Sequence, residues 1–377
     1  MRPETDAPNA PPPPGTWIAF AKPDLQHLIT ALRDDGYTVI GPTVEDGAII
    51  YDEIDSIERL PRGLTDEQAP GVYRLKPRDD DAYFGYNVGP YAWKKFLHPP
   101  ELRLWEARRD NGHIQIHAEV NAPRYAFLGV RACELAAITI QDKVFLGGPY
   151  VDPYYQARRE HAFIIAVNCT LAGGTCFCAS MGTGPEARDH YDIVLTELDD
   201  VFIAQAGSER GAHALGRVPH QRAEASLLHE AQERLARTVQ QMGRSLDTTG
   251  IRDLLFNNLD HPRWDDVASR CLACANCTLV CPTCFCFIVE DVTDLTGENA
   301  ARVRFWFSCF TKEFTYVAGT IVRQSVKSRY RQWLVHKFAG WIDQFGTSGC
   351  VGCGRCITWC PAQIDITEEV AAIREQT

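Results

Sequence analysis

The 377-residue sequence has no long apolar run. An uninterrupted stretch such as Ala162 to Val167 falls far short of the roughly 18 residues that a membrane-spanning helix needs. The N-terminus also lacks the apolar core of a signal peptide, because Pro11 to Pro14 stand where that core would lie, and it has no twin-arginine pair. The sequence therefore predicts a cytoplasmic protein without a membrane span, whose fifteen cysteines are reduced thiols rather than disulfides.

Positive charge is scarce as well: 38 Lys and Arg residues stand against 49 Asp and Glu residues, for a formal net charge of −11. This balance argues against nucleic-acid binding as the main task. No serine–histidine or paired-carboxylate arrangement stands out, and lone histidines such as His113 and His117 are interpreted as ordinary surface or core residues. No catalytic residue is predicted.

The sequence also lacks a glycine-rich turn between a strand and a helix, which a nicotinamide or flavin site would need. Gly182 to Ala187 fits the pattern G-x-G-x-x-A, but it follows a cysteine-containing loop rather than a strand. Pro185 removes a backbone donor that a phosphate would use. We interpret this stretch as a turn.

What the sequence does contain is cysteine, in two runs of identical spacing. They are Cys271-x-x-Cys274-x-x-Cys277-x-x-x-Cys281-Pro282 and Cys350-x-x-Cys353-x-x-Cys356-x-x-x-Cys360-Pro361. In bacterial ferredoxins with this spacing, three closely spaced thiolates hold one [4Fe–4S] cluster and the fourth cysteine binds the other cluster. The runs therefore predict two [4Fe–4S] clusters. Their ligands are Cys271, Cys274, Cys277 and Cys360 for the first cluster, and Cys350, Cys353, Cys356 and Cys281 for the second.

Tetrahedral zinc is the alternative for these two runs, since two C-x-x-C pairs can also form a zinc site. Zinc would leave thiolates unused, and it does not require a proline after the last cysteine in two places. The spacing favours the two clusters.

Four further cysteines fall in a stretch with α/β character, and two of them follow predicted strands, where open sheets bind ligands. Cys133 is expected where a helix begins, so that the helix dipole would favour its thiolate. Gly173 and Gly174 give the later loop the freedom to wrap a cluster. We interpret the set as ligands of a third [4Fe–4S] cluster, with zinc or buried inert thiols as alternatives. The set is Cys133, Cys169, Cys176 and Cys178.

The last three cysteines are Cys284, Cys286 and Cys309. Thr283-Cys284-Phe285-Cys286 repeats the pattern of residues 175–178. Three thiolates could bind iron in a cluster that has a non-cysteine fourth ligand, or they could shield the neighbouring clusters as apolar thiols. The second interpretation is favoured, because free cysteine is commonly buried.

Hydrophobic periodicity predicts a helix that Asp24 caps and Gly36 ends, and a long helix over residues 223–242 with an apolar stripe in the core. A hairpin is predicted from residues 72–75 and 83–88, and a short final helix after Asp365 or Thr367 as its cap. Further strands are predicted at residues 37–40, 125–130, 163–167, 193–195 and 201–204.

These elements predict an α/β (α+β) N-terminal and middle region, followed by a C-terminal bacterial dicluster ferredoxin-like domain. Residues 1–16 are proline-rich and expected to be a disordered tail. Residues 17–245 form the α/β domain with the third iron–sulfur site, and residues 246–377 form the dicluster domain. Between the two cysteine runs, residues 287–345 form an insertion far longer than the connection in a minimal ferredoxin.

The insertion contains a basic stretch in which aromatic residues are interleaved. Such a mixture can bind single-stranded nucleic acid. In an acidic iron–sulfur protein we expect instead a docking face for a partner, neutralisation of cluster charge, or an ordinary solvated face. The basic residues are Arg323, Lys327, Arg329, Arg331, His336 and Lys337, with Tyr330, Trp333 and Trp341 among or beside them.

Five segments together resemble a known family. The segments are residues 127–135 (FLGVRACEL), 141–145 (QDKVF), 175–185 (TCFCASMGTGP), 281–286 (CPTCFC) and 349–361 (GCVGCGRCITWCP). They are similar to the β subunit of cytoplasmic NAD(P)-linked [NiFe] hydrogenases, also called sulfhydrogenases, and to the related iron–sulfur subunit of anaerobic sulfite reductase. The resemblance covers nearly everything after about residue 70.

The resemblance implies an electron relay without a catalytic centre of its own. Its partners would be a flavin- and NAD(P)-binding subunit and the small and large subunits of a [NiFe] hydrogenase, or the catalytic subunit of a sulfite reductase. A different class of function is a scaffold or redox-sensing module that its clusters stabilise. Two departures put the role of the insertion in doubt: Trp306-Phe307-Ser308 lacks the family's Asp, and Ala318-Gly319-Thr320 replaces a His-Gly-Gly.

Overall fold

The centre of the protein is a mixed eight-stranded sheet. The computed structural model describes residues 11–87, 89–110, 112–120 and 122–375. The strand order in the sheet is β12-β1-β11-β10-β9-β8-β2-β3. The neighbouring pairs β10–β9, β9–β8 and β8–β2 are parallel. The strands are β1 (Trp17–Ala21), β2 (Thr38–Glu45), β3 (Ala48–Glu53), β4 (Leu64–Ala69), β5 (Val72–Pro77), β6 (Glu101–Asp110), β7 (His113–His117), β8 (Tyr125–Val130), β9 (Phe163–Val167), β10 (Ile193–Glu197), β11 (Val201–Ala206), β12 (Gln221–Arg222), β13 (Phe287–Thr293), β14 (Asn299–Trp306), β15 (Tyr316–Val317) and β16 (Thr320–Ile321).

Helices cover both faces of this sheet. Its central strand β9 is a continuous apolar run, FIIAV, as expected for a strand buried on two sides. The helices are α1 (Leu25–Asp34), α2 (Lys94–Leu97), α3 (Ala132–Phe145), α4 (Pro153–His161), α5 (Glu209–Leu215), α6 (Ala225–Gln240), α7 (Ile251–Asn257), α8 (Arg263–Arg270), α9 (Asn276–Leu279), α10 (Val326–Val335), α11 (Trp341–Phe345), α12 (Arg355–Thr358) and α13 (Ile366–Glu375). Helices α1 and α5 pack on one face, and α3 and α4 on the other. None of the helices in the described ranges is long and apolar enough to cross a membrane.

The predicted N-terminal helix is confirmed as α1, whose apolar stripe is buried against the sheet. Asp24 stands at the cap position, but its side chain makes no capping hydrogen bond, so that part of the prediction is wrong. The predicted long helix is α6. Its stripe is core only in part, because Ala231 is buried whereas Val239 is 44% exposed.

The predicted hairpin has a different partner strand. Strand β5 pairs with β4 in the register Leu64↔Pro77, not with residues 83–88. Tyr83 and Phe84 are not in a strand, because their backbone N–H groups donate to the Glu197 carboxylate, at 2.7 and 2.8 Å. Val88 lies outside the described residues.

A second sheet, in the order β13-β14-β6-β7, joins the insertion to the N-terminal half of the chain. Strand β14 pairs antiparallel with β6, although about 190 residues separate them along the chain, as the Asn299↔Arg108 pair shows. This sheet pairs strands from both sides of the domain boundary that was predicted near residue 245. The boundary itself stays a prediction.

A helical core surrounds the cysteine runs. Helices α7, α8, α10 and α13 bury large side chains together, among them Trp264, Tyr330 and Trp333. The final helix is confirmed as α13, and Asp365 accepts a hydrogen bond from the backbone N–H of Thr367 at 2.9 Å.

Part of the proline-rich tail packs on the central sheet. The Gly15 N–H donates to Ala206 O at 3.2 Å, and Gln205 Nε2 donates to Gly15 O at 2.8 Å. The expectation of disorder is therefore wrong for this part, because the C-terminal end of β11 supplies a backbone carbonyl and a side-chain amide as partners for Gly15. Residues 1–10 of the predicted tail lie outside the described residues.

Candidate metal centres

The two cysteine runs fold into loops of the same shape. The second and fourth residues after the first cysteine are left-handed in both loops: Ala273 and Ala275 have φ of 51° and 67°, and Gly352 and Gly354 have φ of 65° and 74°. Each loop then continues into a one-turn helix, α9 or α12. The second loop buries Cys350 and Cys353, whereas Cys274 of the first loop is exposed.

Backbone donors face the sulfur atoms in equivalent positions of the two loops. The Ala273 N–H donates to Cys271 Sγ at 3.4 Å, and the Gly352 N–H donates to Cys350 Sγ at 3.4 Å. Hydrogen bonds to cluster sulfurs tune the potential of iron–sulfur sites, so these donors suit thiolates that bind iron.

Four thiols line one apolar cavity at the first predicted site. Cys360 comes from the second run, and the Ile364 N–H donates to its Sγ at 3.3 Å. Phe310, Tyr330 and Trp333 form an apolar part of the remaining wall, whereas Cys274 is exposed. The four thiols of the cavity are Cys271, Cys274, Cys277 and Cys360, the set predicted from the ferredoxin spacing; Cys356 of the second site also reaches the cavity.

The second predicted set also comes together, with Cys281 contributed by the first run. Burial raises the pKa of the Cys350 thiol to about 12. Burial, with the neighbouring Cys350, Cys353 and Cys281 thiols, also raises the pKa of Cys356. A hydrogen bond with Cys284 and the nearby Lys337 ammonium lower the pKa of Cys281. Burial therefore favours protonated thiols, unless a bound cation or metal compensates the thiolate charge.

The geometry suits a polynuclear cluster better than a single ion. In the described part of the chain, no group of three or more His, Cys, Asp or Glu side chains is arranged to hold one metal ion. A cubane spreads its four thiolates around a larger body, which the shared apolar cavity and the N–H donors fit. Zinc, the alternative weighed from the sequence, would need a tighter tetrahedral set.

The third predicted set gathers beside the second. Cys133 is the second residue of α3, Cys169 follows β9, and the other two lie in the next loop. Burial raises the pKa of Cys176 to about 12 and also raises the pKa values of Cys178 and Cys133. Desolvation is the main cause of the raised pKa of Cys133, so a thiolate there needs a compensating metal; the expectation that the helix dipole favours this thiolate stays a prediction.

The third-site loop packs directly on the second cysteine run. The Phe177 N–H donates to Gly352 O at 2.8 Å, and Thr183 Oγ1 donates to Val351 O at 2.6 Å. A Cβ at Gly352 would stand 2.6 Å from the Phe177 backbone, so only glycine permits this approach.

The remaining three cysteines lie at the base of the β13–β14 hairpin. Cys286 and Cys309 share a side-chain hydrogen bond, and Cys284 shares one with Cys281. Both interpretations of these thiols, a cluster with a fourth non-cysteine ligand and an apolar shield, remain predictions.

The glycine-rich stretch forms a turn, as interpreted from the sequence. Gly182 is left-handed, with φ of 66°, and Gly184–Pro185 is a cis peptide bond. The preceding residues 178–182 are turns rather than a strand. This stretch lines an open cleft together with Leu235 and Val239 of α6.

The basic stretch does not form one solvated face. Arg329 and Lys337 are buried, Lys327 pairs with Asp265 at 2.8 Å, and Arg323 donates to Gln332. The solvated-face interpretation is wrong for the two buried side chains. Lys337 instead reaches the second cysteine site, where its Nζ lies 3.3 Å from Cys281 Sγ.

Sequence reasoning missed a buried polar network between the second and third sites. Arg355, between two cysteines of the second run, donates to the Glu134 carboxylate next to Cys133 at 2.5 Å. Glu134 also accepts hydrogen bonds from Tyr51 OH and Trp93 Nε1, at 2.8 and 3.1 Å. The only sequence signal was the placing of both charged residues directly beside cysteines.

Residues 270–364 match the model of the 4Fe-4S dicluster domain. The two loops, their cavity and this match define an iron–sulfur electron-transfer protein that carries 4Fe–4S clusters.

The chain is also 31% identical over 344 residues to sulfhydrogenase 2 subunit beta of Pyrococcus furiosus. The aligned region covers 89% of this chain and 92% of that relative. The chain therefore belongs to the sulfhydrogenase β-subunit family and is an iron–sulfur electron-transfer subunit of a hydrogenase-like complex. No solved structure matches it.

Proposed function

We propose that this chain relays single electrons, in the cytoplasm, between a flavin- and NAD(P)-binding subunit and the small and large subunits of a [NiFe] hydrogenase. The observation that carries the proposal is the contact between successive cysteine sites. Asn276 Nδ2 of the first run donates to Trp359 O of the second, and the second run touches the third-site loop through Gly352 and Phe177. A continuous path of sites suits a relay better than isolated structural metals.

The proposed path contains three [4Fe–4S] clusters. Each cluster, when bound, would take up and release one electron, and the chain's own residues would hold it, desolvate it and set its potential. The proposed ligands are Cys271, Cys274, Cys277 and Cys360 for the first cluster; Cys350, Cys353, Cys356 and Cys281 for the second; and Cys133, Cys169, Cys176 and Cys178 for the third.

The surrounding residues have distinct tasks in this proposal. Backbone N–H groups of Ala273, Gly352 and Ile364 donate to ligand sulfurs, which stabilises negative charge on the thiolates. The buried side chains of Tyr330 and Trp333 form an apolar wall on one side of the first site. The chemistry of hydrogen and of NAD(P)H would belong to the partner subunits.

The relay is tested on the tagged chain, purified anaerobically from its native cells with whatever subunits remain bound. About twelve iron and twelve sulfide per chain are expected from three cubanes, with little zinc. A nickel–iron subunit and a flavoprotein should co-purify, and both hydrogen and NAD(P)H should reduce the clusters of this chain. Variant Cys353→Ser should abolish hydrogen-dependent NAD(P) reduction, while hydrogen reduction of an artificial dye by the nickel–iron subunit remains.

Two other results would redirect the proposal. Co-purification of a sirohaem subunit with sulfite-dependent oxidation of the clusters would assign the same relay to an anaerobic sulfite reductase. Clusters that neither hydrogen nor NAD(P)H reduces, in a chain without redox partners, would support a scaffold or sensor instead. The similarity to sulfhydrogenase 2 subunit beta favours the hydrogenase.

A further inference from the structure

The insertion carries a local widening of its helix beside the second cysteine site. His336–Gly340 is π-helical and lies between α10 and α11; in the described ranges it is the one π-helical segment. Single π turns within α-helices are frequent at functional sites. The second residue of this turn is Lys337, which is only 4% exposed.

Lys337 is clamped between the two cysteine runs. Its Nζ donates to Gly349 O at 3.0 Å and to Thr283 Oγ1 at 3.3 Å, and it lies 3.3 Å from Cys281 Sγ. The Gly349 N–H donates back to Lys337 O at 2.7 Å. The ammonium group is therefore held in place directly before Cys350, against a proposed ligand of the second cluster.

No carboxylate balances this charge. Within the described part of the chain, Lys337 takes part in no ion pair with Asp or Glu, and its oxygen partners are a carbonyl and a hydroxyl. A buried ammonium strongly disfavours folding unless an anion compensates it. Lys337 contacts two thiol groups that can carry the compensating negative charge. One is Cys281, which belongs to the proposed ligand set of the second cluster, and the other is Cys284, whose Sγ lies 3.8 Å from the Lys337 Nζ.

We propose that Lys337 raises the reduction potential of the cluster held by Cys281, Cys350, Cys353 and Cys356. Adding an electron makes a thiolate-bound cluster more negative, and burial disfavours that change. Cys350 and Cys353 are each 8% exposed, whereas Cys274 of the first site is open to water. A fixed ammonium at hydrogen-bond distance stabilises the reduced form, and so lets the buried second cluster accept electrons. This inference rests on the proposed function.

The test is a redox titration followed by EPR on the full anaerobic chain and its variants. In Lys337→Gln, one of the two interacting clusters of the cysteine runs should become harder to reduce. Its reduction potential should fall by about 59 mV, which is a tenfold change in the one-electron equilibrium. Lys337→Arg should keep most of the wild-type potential, because it keeps the charge. The control Lys327→Gln removes the same charge from the same insertion, but at an exposed ion pair with Asp265, and should shift neither centre.

The proposal is overturned if a Lys337→Gln chain that retains its iron shows unchanged reduction potentials. An equal shift in the potentials of both clusters of the cysteine runs would also overturn it. A wild-type chain labelled with ¹⁵N-lysine provides a measurement that does not depend on how variants fold. Pulsed EPR should detect a ¹⁵N coupling at one reduced centre, and Lys337→Arg should remove it. If the Lys337→Gln chain does not retain its iron, the ¹⁵N coupling of the wild-type chain decides instead. Its presence supports the proposal, and its absence overturns the proposal. A wild-type chain without two interacting clusters would contradict the proposed function instead.

Discussion

Arg355 and Glu134 form an ion pair whose side chains are each 1% exposed, and each residue directly neighbours a cysteine of a different proposed cluster. The Arg355 guanidinium also donates to Gly89 O and Tyr91 O, at 2.8 and 3.0 Å. This pair thus joins the second cysteine run, helix α3 and the loop before α2. It fixes the second and third cysteine sites relative to each other, which the proposed electron transfer between them would require.

Glu134→Gln should therefore destabilise the protein strongly. Removing one partner of a buried ion pair leaves the other charge uncompensated and costs about 3–5 kcal/mol. Chemical denaturation of the anaerobic protein measures this loss. The control is Asp291→Asn at the exposed pair with Arg302, which should change stability by about 1 kcal/mol or less. Equal small effects of both variants would contradict the role of Glu134.

The crossed ligand assignment makes a prediction about two single variants. Cys281→Ser should damage the second cluster although Cys281 lies in the first run, and Cys360→Ser should damage the first cluster. EPR of each reduced variant shows which cluster signal remains, so the two variants can be compared. Loss of the same signal in both variants would show that the ligands are not crossed.

Gly354→Ala should loosen the contact between the second run and the third-site loop. Gly354 has φ of 74°, and a Cβ there would stand 2.5 Å from Thr175 O. Gly297→Ala is the matched control, since Gly297 has φ of 71° but nothing within 4 Å of the added atom. The control should lose roughly 1–2 kcal/mol from the left-handed backbone alone. Gly354→Ala should lose clearly more, together with iron from the third site; similar losses would argue against the close approach.

His98 should make the protein sensitive to moderate acid. Burial, with Arg304 and Lys94 nearby, lowers the pKa of His98 from 6.5 to about 2. The folded pKa lies below the unfolded one, so the stabilising contribution of the neutral ring is present above about pH 6.5 and is lost as pH falls toward 2. Relative to His98→Phe, the wild type should lose about 1.4 kcal/mol per pH unit below that point.

The comparison of His98→Phe with the wild type is best made between pH 7.5 and 5.5, before acid releases the clusters. Thermal or denaturant unfolding of both proteins gives the difference directly. The two ring nitrogens of His98 have no hydrogen-bond partner among the described residues, so phenylalanine forfeits no polar contact. Parallel pH curves would contradict the prediction.

Local patterns predicted the local features well. The spacing of the two runs predicted that Cys271, Cys274, Cys277 and Cys360 lie around one cavity, because the ferredoxin loop geometry is short-range and repeats; the ligand sets themselves stay a prediction. The apolar runs at residues 125–130 and 163–167 predicted β8 and β9, since strands buried on both sides need no alternation.

Long-range pairings could not be predicted in this way. The partner of β5, the pairing of β14 with β6, and the Arg355–Glu134 ion pair join residues that are distant in sequence. The burial of Lys337 was equally hidden, because a lysine in a basic stretch is usually solvated. Only the packing of the insertion against the cysteine runs shows that this lysine is directed inward.

The proposed exchange of Cys281 and Cys360 between the two runs would also constrain biosynthesis. While the ribosome has made only the first run, the nascent chain offers three ligands of one proposed cluster and a single ligand of the other. Neither cubane can acquire its full set until the insertion, with β13, β14 and Lys337, has emerged and folded back. Iron would therefore enter these two centres late and almost together, so a chain interrupted before the second run would hold neither of the two in complete form. The proposed third set, Cys133 to Cys178, would already be present in such a chain.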